Sequence, residues 1–505
     1  MVTREGLRDW LAAPVGARLG RGPALPAIAL ALFVGLFAAQ LFTCERYLQN
    51  DGLGDDGTFY AEWVRRFDWN LPHMGLHAYS AQRVVGVGMA RLWIDATHGP
   101  MTNANIVRAF QWVNLASVAL AFFAFGRAAR HLALTRAGYL FGAIALFVNF
   151  GVLKWIPFDP VLTDAEGFAL GCGALALWTG RHTIPLAVLG VVGAFVWPSF
   201  GYVACVLVAL PRPPRAGEPP DAPGWLPNAI AAVAAAWWAV EAHALADFRP
   251  MFGVALAARS VFGLSCLVVA LALFFALRRL ARPSLLVVHV RRGSIAGAAV
   301  ALAGGLGLYA AIRAGLAWAS ASASATLPQP PFVSTQFFLQ NTLFLSVQRP
   351  AAFLVGHAVF FGPWVVLPFV RWRDVADAAA RLGAGMVGAL GLAVLMGMNN
   401  EGRRMFGLAP VVLAPVLLGL GRARWTLERL GQLLVITLLA SKVWYTLVQT
   451  PVPDPETMTS SIGPWMILEH YQAQLAMCGA LAVWAWLAWR DERGPFVPLS
   501  VEAAS

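Results

Sequence analysis

Repeated apolar runs constrain this chain most strongly. Many of them are about 17 to 25 residues long, which matches the thickness of the hydrocarbon core of a lipid bilayer. Hydrophobic residues make up 59% of the 505 residues and charged residues only 12%, with a mean hydropathy of +0.64. One soluble core cannot bury so many runs of that length. The sequence therefore predicts an all-α, polytopic membrane protein.

The apolar runs also predict where the membrane helices lie. We expect them at 23–43, 104–126, 137–153, 163–179, 226–245, 252–277, 295–318, 351–370, 382–398, 405–420, 430–448 and 467–489. The segment 184–210 is interrupted near its middle by Trp197-Pro198-Ser199, which fits either one kinked crossing or a hairpin of two short helices. With a hairpin, the chain has about 12–14 transmembrane or half-membrane helices.

The basic residues decide between these two arrangements. The net charge is +11, and the Lys and Arg residues stand in short clusters between apolar runs, which is typical of topology signals rather than of a nucleic-acid-binding face. With a hairpin at 184–210, the later clusters all fall on the side of the basic N-terminus, as the positive-inside rule requires. They are Arg127/Arg130/Arg136, Arg181/His182, Arg212/Arg215, Arg278/Arg279/Arg282/Arg291/Arg292, Arg371/Arg373, Arg422/Arg424 and Arg490/Arg493. We therefore predict that both termini are cytoplasmic and that nucleic acid is not a partner.

A proline-rich stretch divides the chain. Residues 211–224 are predicted to form a cytoplasmic linker between an N-terminal helix group, 1–210, and a C-terminal helix group, 225–505. The N-terminal group carries a long first outer loop at 44–103. The five cysteines stand singly inside or beside apolar segments, so neither a disulfide framework nor a zinc site is expected.

An acidic, glycine-broken segment follows the first apolar run. It reads Asp51-Gly-Leu-Gly-Asp55-Asp56-Gly-Thr-Phe-Tyr60, so three carboxylates fall within six residues of a chain that has few charges. The predicted topology puts this segment in the first outer loop and Asp159 and Asp164 in the second. The inner loops are short and mostly basic. We therefore expect any chemistry on the outer face.

This loop pattern resembles the GT-C superfamily of integral-membrane glycosyltransferases. Asp56-Gly57-Thr58-Phe59-Tyr60 matches the Asp-Gly-x-Phe-Tyr string of a bacterial group within it, and the following stretch with Arg83 and Arg91 matches that group's amphipathic helix. The family's proline after this helix is absent here, and Trp197-Pro198 stands where many relatives place a charged pair. The resemblance implies a GT-C-like fold with amphipathic helices in the first outer loop.

The same resemblance implies an activity and a location. It implies an inverting glycosyltransferase in the bacterial inner membrane, with its active site on the periplasmic face. The implied donor is a polyprenyl-phosphate sugar, and the acceptor is a hydroxyl of a glycan, a lipid or a protein. Membrane lipids surround the site.

Such a transfer requires a carboxylate that takes the proton of the acceptor hydroxyl. Asp56 is the candidate base, because Gly54 and Gly57 let the backbone bend toward a ligand, and Asp55 is its neighbour. Which of the two is the base stays open. The adjacent carboxylates are also candidates to bind a divalent cation, Mg²⁺ or Mn²⁺, together with Asp159 or Asp164. No cofactor is otherwise expected.

The transfer also requires cations that hold the departing phosphate. The candidates are Arg403, Arg404, Arg83, Lys154 and His357. Each has a structural alternative: a salt bridge for the arginine pair, an interfacial anchor for Arg83, a snorkelling side chain for Lys154 and a structural imidazole for His357. The candidates for acceptor or sugar binding are Tyr60, Trp63 and Glu401.

Two other classes of protein fit parts of the sequence. A polytopic transporter or a lipid or glycan flippase also has many helices and a broken helix, although it usually has a matched pair of broken helices. A lipid-scaffold protein without catalytic activity would tolerate substitution of Asp56.

Overall fold

The structure is a computed structural model of the chain. It describes residues 9–15, 25–54, 56–68, 81–210, 225–244, 259–281, 295–321, 351–397, 402–420, 426–446 and 468–489. These residues are mainly helical, and within them only an isolated β-bridge joins Pro14 to Thr135. The all-α fold class predicted from the sequence is confirmed.

The first part of the chain, up to residue 210, contains eight of the helices that we number. They are α1 Leu25–Thr43, α2 Asp56–Arg65, α3 Val84–Ala96, α4 Asn103–His131, α5 Arg136–Phe147, α6 Asp164–Thr179, α7 Thr183–Gly193 and α8 Phe200–Ala209. The later helices are α9 Trp225–Ala244, α10 Arg259–Ala281, α11 Ile295–Ala321, α12 Ala352–Phe361, α13 Trp372–Leu382, α14 Ala384–Gly397, α15 Ala409–Leu420, α16 Leu427–Ala440 and α17 Leu468–Trp489.

Two predicted membrane helices are interrupted in the structure. The prediction at 351–370 is wrong in its middle, because α12 ends at Gly362, whose φ of 92° suits only glycine, and Pro363 begins a short 3₁₀ turn. The prediction at 137–153 is broken after α5, where the chain continues as a π-helix over Gly151–Trp155. The Asn149 side chain bonds the backbone on both sides of this second break, which satisfies the groups that the helix has released.

The segment 184–210 is a hairpin of two short helices, as the charge argument predicted. Helices α7 and α8 pack against each other, with Gly190 against Ala204 and Gly193 against Phe200. Both helices have about half the length needed to cross a bilayer. The chain therefore enters and leaves this hairpin at the same end of the bundle.

Helix α13 was not predicted from the sequence. Its buried residues Val375, Ala376, Ala379 and Leu382 form one face, and charged residues cover the other. This helix packs against α15. An amphipathic helix of this kind belongs at an interface rather than across a membrane.

The core is built around α4 and α6. These two helices pack along each other, and α1 and α3 pack on α4 while α15 packs on α6. Residues of the N-terminal and C-terminal helix groups thus share one hydrophobic core. The division at 211–224 stays a prediction about sequence organisation.

Helices of membrane-crossing length are present. Among the described residues, α1, α4 and Ala296–Trp318 of α11 are long and apolar enough to span a bilayer, and α5 with its π-helical continuation forms a fourth candidate that is bent by 45°. Further apolar helices of 10–17 residues include α7, α8 and α15. The chain is a membrane protein.

The basic clusters of the described residues lie at one end of the bundle, which we call the basic end. It contains the N-terminal segment, the α4–α5, α6–α7 and α13–α14 junctions, and the C-terminal end of α10. The contacts that join them are Ala13 with Arg136, His131 with His182, Leu210 with Gly385, Arg279 with Asp377, and Asp374 with Gly419. The clusters thus gather as the topology argument requires.

The opposite end of the bundle, which we call the acidic end, carries Asp51, Asp56, Asp159 and Asp164. Tyr47 donates its backbone N–H to the Phe158 carbonyl at 2.9 Å. Asn103 at the start of α4 donates to Asp51. The first two predicted outer loops therefore meet in space.

The positive-inside rule predicts that the basic end faces the cytoplasm. We expect cysteine at Thr183, which is exposed at the basic end, to be labelled only after permeabilisation, and cysteine at Ala104, exposed at the acidic end, to be labelled in intact cells. Native Cys44 will interfere little, because burial raises the pKa of its thiol to about 11 and the thiolate is the reactive form. Labelling of both positions from outside, or of position 183 alone, would contradict the assignment.

Candidate active site

The acidic end brings together a carboxylate and a guanidinium that are 347 residues apart in sequence. Asp56 begins α2, and Arg403 lies in the short 3₁₀ helix Gly402–Met405. Both terminal nitrogens of Arg403 lie 3.3 Å from Oδ2 of Asp56. The two side chains are 46% exposed for Asp56 and 24% for Arg403, so both remain accessible to a ligand.

The turn before Asp56 is fixed by close packing. Gly54 has a φ of 71°, and a Cβ added there would lie 2.7 Å from the Tyr47 ring and 3.0 Å from Oδ1 of Asp159. Only glycine fits this conformation and this space. Gly57, one residue beyond Asp56, packs closely against Val161. The turn therefore holds Asp56 beside the second acidic segment.

An ion pair with a buried lysine stabilises this arrangement. Lys154 of the π-helix is 1% exposed and pairs with Glu45, which follows α1. The pair fixes the end of α1 to the segment that leads to Asp159. Asp164 at the start of α6 accepts a hydrogen bond from Trp155 Nε1 at 2.9 Å. The predicted cation Lys154 thus already has a protein anion, and its role toward a phosphate stays a prediction.

Arg83 occupies the junction between the first outer loop and the α7–α8 hairpin. Its guanidinium donates to the hydroxyl of Tyr60 and lies 5.2 Å above the centre of the Trp197 ring. Trp197 in turn packs on the backbone of α6 at Gly167. Tyr60 lies one helical turn after Asp56 on α2, so Arg83 reaches the same face of that helix.

Helix α3 is also hydrogen-bonded to the C-terminal end of α2. Arg91 forms two 2.9 Å bonds to the carboxylate of Asp95 and donates to the carbonyls of Val64 and Arg65 at 3.3 Å. These carbonyls lie at the C-terminus of α2, where a cation is favoured. The two helices of the first outer loop therefore form one rigid pair.

The remaining candidates lie around this centre. His357 is buried and shares a 2.7 Å hydrogen bond with the Gly397 carbonyl, and Gly397 also approaches Met405 of the short helix that carries Arg403. Arg404 is the next residue of that helix and is half-buried. Trp63 is buried and meets Tyr60 edge to face at 4.9 Å.

Two candidates, Asp55 and Glu401, lie outside the described residues. The arrangement therefore joins Asp56, Arg403, Asp159, Tyr60 and Arg83 in one region. Lys154 and His357 lie behind it.

The predicted divalent cation has few ligands here. Within the described ranges, no three His, Cys, Asp or Glu residues form a group that would hold a metal. Asp164 gives one oxygen to Trp155, and Asp56 gives one to Arg403. These residues do not by themselves complete a coordination shell. The Mg²⁺ or Mn²⁺ site stays a prediction.

Several residues of this region were not singled out from the sequence. Glu45 and Tyr47 hold the acidic turn, yet both directly follow an apolar run and carry no motif. Glu166 is buried against Gly86 of α3, whose added Cβ would lie 2.5 Å from Oε1. The sequence gives no signal for this contact, because Gly86 and Glu166 are far apart in the chain and belong to no shared motif.

Comparison with known proteins adds a structural likeness. No family profile matches the chain, and no curated protein matches it. Among solved structures, the chain is similar to an archaeal oligosaccharyltransferase, AglB from Archaeoglobus fulgidus, in complex with an inhibitory peptide and a dolichol-phosphate. The two chains are 12% identical with a TM-score of 0.38, and the match covers 94% of this chain and 56% of AglB. This chain thus spans little more than half of that protein's length.

The packing of Gly54 predicts a measurable loss of stability. Gly54→Ala should lower the free energy of unfolding by about 1–3 kcal/mol, because the new methyl group meets Tyr47 and Asp159 at a strained φ. Gly35→Ala is the control, since nothing lies within 4 Å of its added Cβ. Thermal unfolding of the purified protein in detergent compares them. Equal midpoints for both variants would contradict the close packing of the turn.

Proposed function

We propose that this chain is a membrane glycosyltransferase of the GT-C type. It transfers a sugar from a polyprenyl-phosphate donor to an acceptor hydroxyl at the acidic end of the bundle. The observation that carries the proposal is the contact between Asp56 and Arg403. This contact of a carboxylate with a guanidinium, at the end opposite to the basic clusters, supports Asp56 as the proposed base and Arg403 as the proposed phosphate-binding cation.

The pair suits a site that must open for substrate. An ion pair that is partly exposed contributes only about 0–1 kcal/mol, so a phosphate group can replace the carboxylate at Arg403 with little loss. Arg403 then contacts the donor, and Asp56 is released toward the acceptor. Rigid neighbours hold Asp56 in place, since the Gly54 turn packs on Asp159 and α2 is tied to α3 by Arg91.

The reaction is a single displacement at the anomeric carbon. Asp56 takes the proton of the acceptor hydroxyl while the oxygen of that hydroxyl bonds to the anomeric carbon. The bond from that carbon to the phosphate oxygen breaks, and the electron pair leaves with the polyprenyl phosphate. Attack from the face opposite to the leaving group inverts the anomeric configuration.

Charge grows on the phosphate during this step. The donor is a phosphodiester with one negative charge, and the product is a monoester that carries up to two. A guanidinium that meets the leaving oxygens therefore stabilises the transition state more than the ground state. Arg403 has this position in the proposal, with Arg404, Arg83, Lys154 and His357 as further candidates. Tyr60, Trp63 and Glu401 remain the candidates on the sugar or acceptor side.

The acceptor is the hydroxyl of a glycan, a lipid or a protein, and the site faces the periplasm of a bacterium. The transporter or flippase alternative predicts that a lipid-linked sugar crosses the membrane unchanged. A new glycosidic bond in the product therefore separates the two functions. Mass spectrometry of the lipid and acceptor fractions after incubation with a polyprenyl-phosphate sugar detects that bond.

Replacing the base tests the proposal directly. Asp56→Asn preserves side-chain volume and removes the proton acceptor, so sugar transfer should fall by about a hundredfold to ten-thousandfold, while membrane insertion and thermal unfolding stay close to wild type. Asp51→Asn is the control, because Asp51 is an exposed carboxylate of the same loop. Near-normal turnover of Asp56→Asn, with loss in Asp159→Asn, would move the base to Asp159.

Replacing the cation separates donor binding from base catalysis. Arg403→Gln should lower kcat/KM for the donor about tenfold or more, the usual effect of losing a hydrogen bond to a charged group. A higher donor KM should account for part of this loss, whereas loss of the base should lower mainly kcat. Arg403→Lys should restore binding only in part, because an ammonium lacks the planar fork of a guanidinium. Arg66→Gln is the control, since Arg66 is an exposed arginine that pairs with Glu62.

A purely structural role for Arg403 predicts a different pattern. Arg403→Gln would then disappear from the membrane fraction, while Arg403→Lys would be stable and fully active. Radiolabelled-donor kinetics and membrane abundance, measured on the same preparations, distinguish the two outcomes.

A further inference from the structure

The α7–α8 hairpin places a break in the backbone at depth in the bundle. Its two helices have 11 and 10 residues, so each is about 15–17 Å long against a hydrocarbon core of about 30 Å. Helix α7 begins and helix α8 ends at the basic end, where Leu210 lies close to Gly385. The connecting residues 194–199 therefore lie inside the bundle at the level of Gly167, less than one helical turn from Asp164 at the start of α6.

Two backbone carbonyls of this break accept hydrogen bonds from other parts of the chain. From the first outer loop, Val85 of α3 donates its N–H to the Phe195 carbonyl at 3.2 Å, and Arg83 lies over Trp197. From the other side, Tyr309 of α11 donates its hydroxyl to the Pro198 carbonyl. The break thus connects the helix pair of the candidate site to α11.

Helix α11 has little protein around it. Its membrane-spanning part is only 11% buried, and nothing lies within 4 Å of a Cβ added at Gly307 or Gly315. It packs along α8, with Gly201 against Tyr309 and Gly305 against Cys205. This antiparallel contact places the C-terminal part of α11 toward the acidic end. Among the described residues, the rest of its surface is exposed and largely apolar, which suits contact with lipid.

Arg313 is a charged residue within this lipid-facing helix. It lies about 12 Å from the end of α11, and its guanidinium is 5.9 Å from the centre of the Tyr309 ring. Within the part of the chain that the structure describes, no carboxylate pairs with Arg313. A cation inside a membrane segment is costly, and such residues usually mark the path of a charged substrate.

We propose that Arg313 binds the phosphate of the polyprenyl-phosphate donor where it enters the protein from the lipid. This inference rests on the proposed function, which supplies the lipid phosphate. The prenyl chain lies along the open surface of α11, and the phosphate meets Arg313 at the hairpin break. Arg83 stands across the same break and contacts Tyr60 on the helix of Asp56. Arg313 therefore captures the donor and takes no part in the chemical step.

Charge complementarity favours this occupant. A phosphate with a long apolar chain matches a guanidinium that is set into an apolar, lipid-facing helix. A polyprenyl monophosphate fits both features of the site.

The test measures lipid binding, which does not require turnover. The full-length protein is placed in nanodiscs of zwitterionic lipid, and native mass spectrometry follows a titration with a polyprenyl monophosphate. Arg313→Gln should weaken binding about tenfold, and Arg313→Lys should restore part of it. Arg108→Gln is the control, because Arg108 is an exposed arginine near the acidic end of α4. It should bind the lipid as the wild type does.

The outcomes decide between sources of the phosphate. Wild-type affinity in Arg313→Gln, or an equal loss in Arg108→Gln, would overturn the proposal. Equal competition by phosphatidylglycerol would also overturn it, since Arg313 would then be a contact for any anionic lipid. Thermal unfolding of each variant checks the fold, and a variant that unfolds is judged through Arg313→Lys.

The inference and the proposed function fail in different ways. If Arg313→Gln weakens binding but no variant or wild-type preparation forms a glycosidic bond, the entry site stands and the transferase proposal fails. If Asp56→Asn abolishes transfer while Arg313→Gln binds donor normally, the entry site alone is wrong.

Discussion

The need to satisfy backbone N–H and C=O groups inside a bilayer governs this structure. Regular helices meet that need internally, so each interruption must find partners elsewhere. The break after α5 finds them in the Asn149 side chain. The break at 194–199 finds them in Val85 and Tyr309, which come from different helices. The candidate site lies beside these two breaks, where the fold brings irregular backbone and polar side chains together.

The site combines a rigid frame with a weak central contact. The frame consists of the Gly54 turn against Asp159, the buried Lys154–Glu45 pair, and α3 bonded to α2 through Arg91. The Asp56–Arg403 contact is long and partly exposed, so it contributes little to stability. A frame that keeps its geometry while its functional groups exchange partners reduces the cost of reorganisation during binding.

Much of the helical fold was predictable from the sequence, and the reasons for the failures are specific. The predicted helices at 163–179 and 467–489 agree closely with α6 and α17. The prediction at 351–370 failed because a long apolar run hid the Gly362-Pro363 turn. Helix α13 was missed because its apolar face consists mainly of alanine and valine between charges, and only its 3.6-residue period distinguishes it from a loop. Asp56 and Arg403 were each proposed from the sequence, but their contact was not predictable, since nothing in their local sequences indicates that they touch. Likewise, Arg313 becomes a candidate only through its contact with Tyr309, whose hydroxyl donates to the carbonyl of Pro198 in the hairpin break.

The separation of Asp56 and Arg403 along the chain has a consequence for biosynthesis. Membrane helices enter the bilayer in order as the ribosome makes them, so Asp56 reaches its place long before its partner exists. The nascent protein carries an incomplete centre until the segment with Arg403 has been inserted and has packed beside α12. A translation product that stops before residue 402 therefore contains Asp56 but not the guanidinium that it contacts in the full chain.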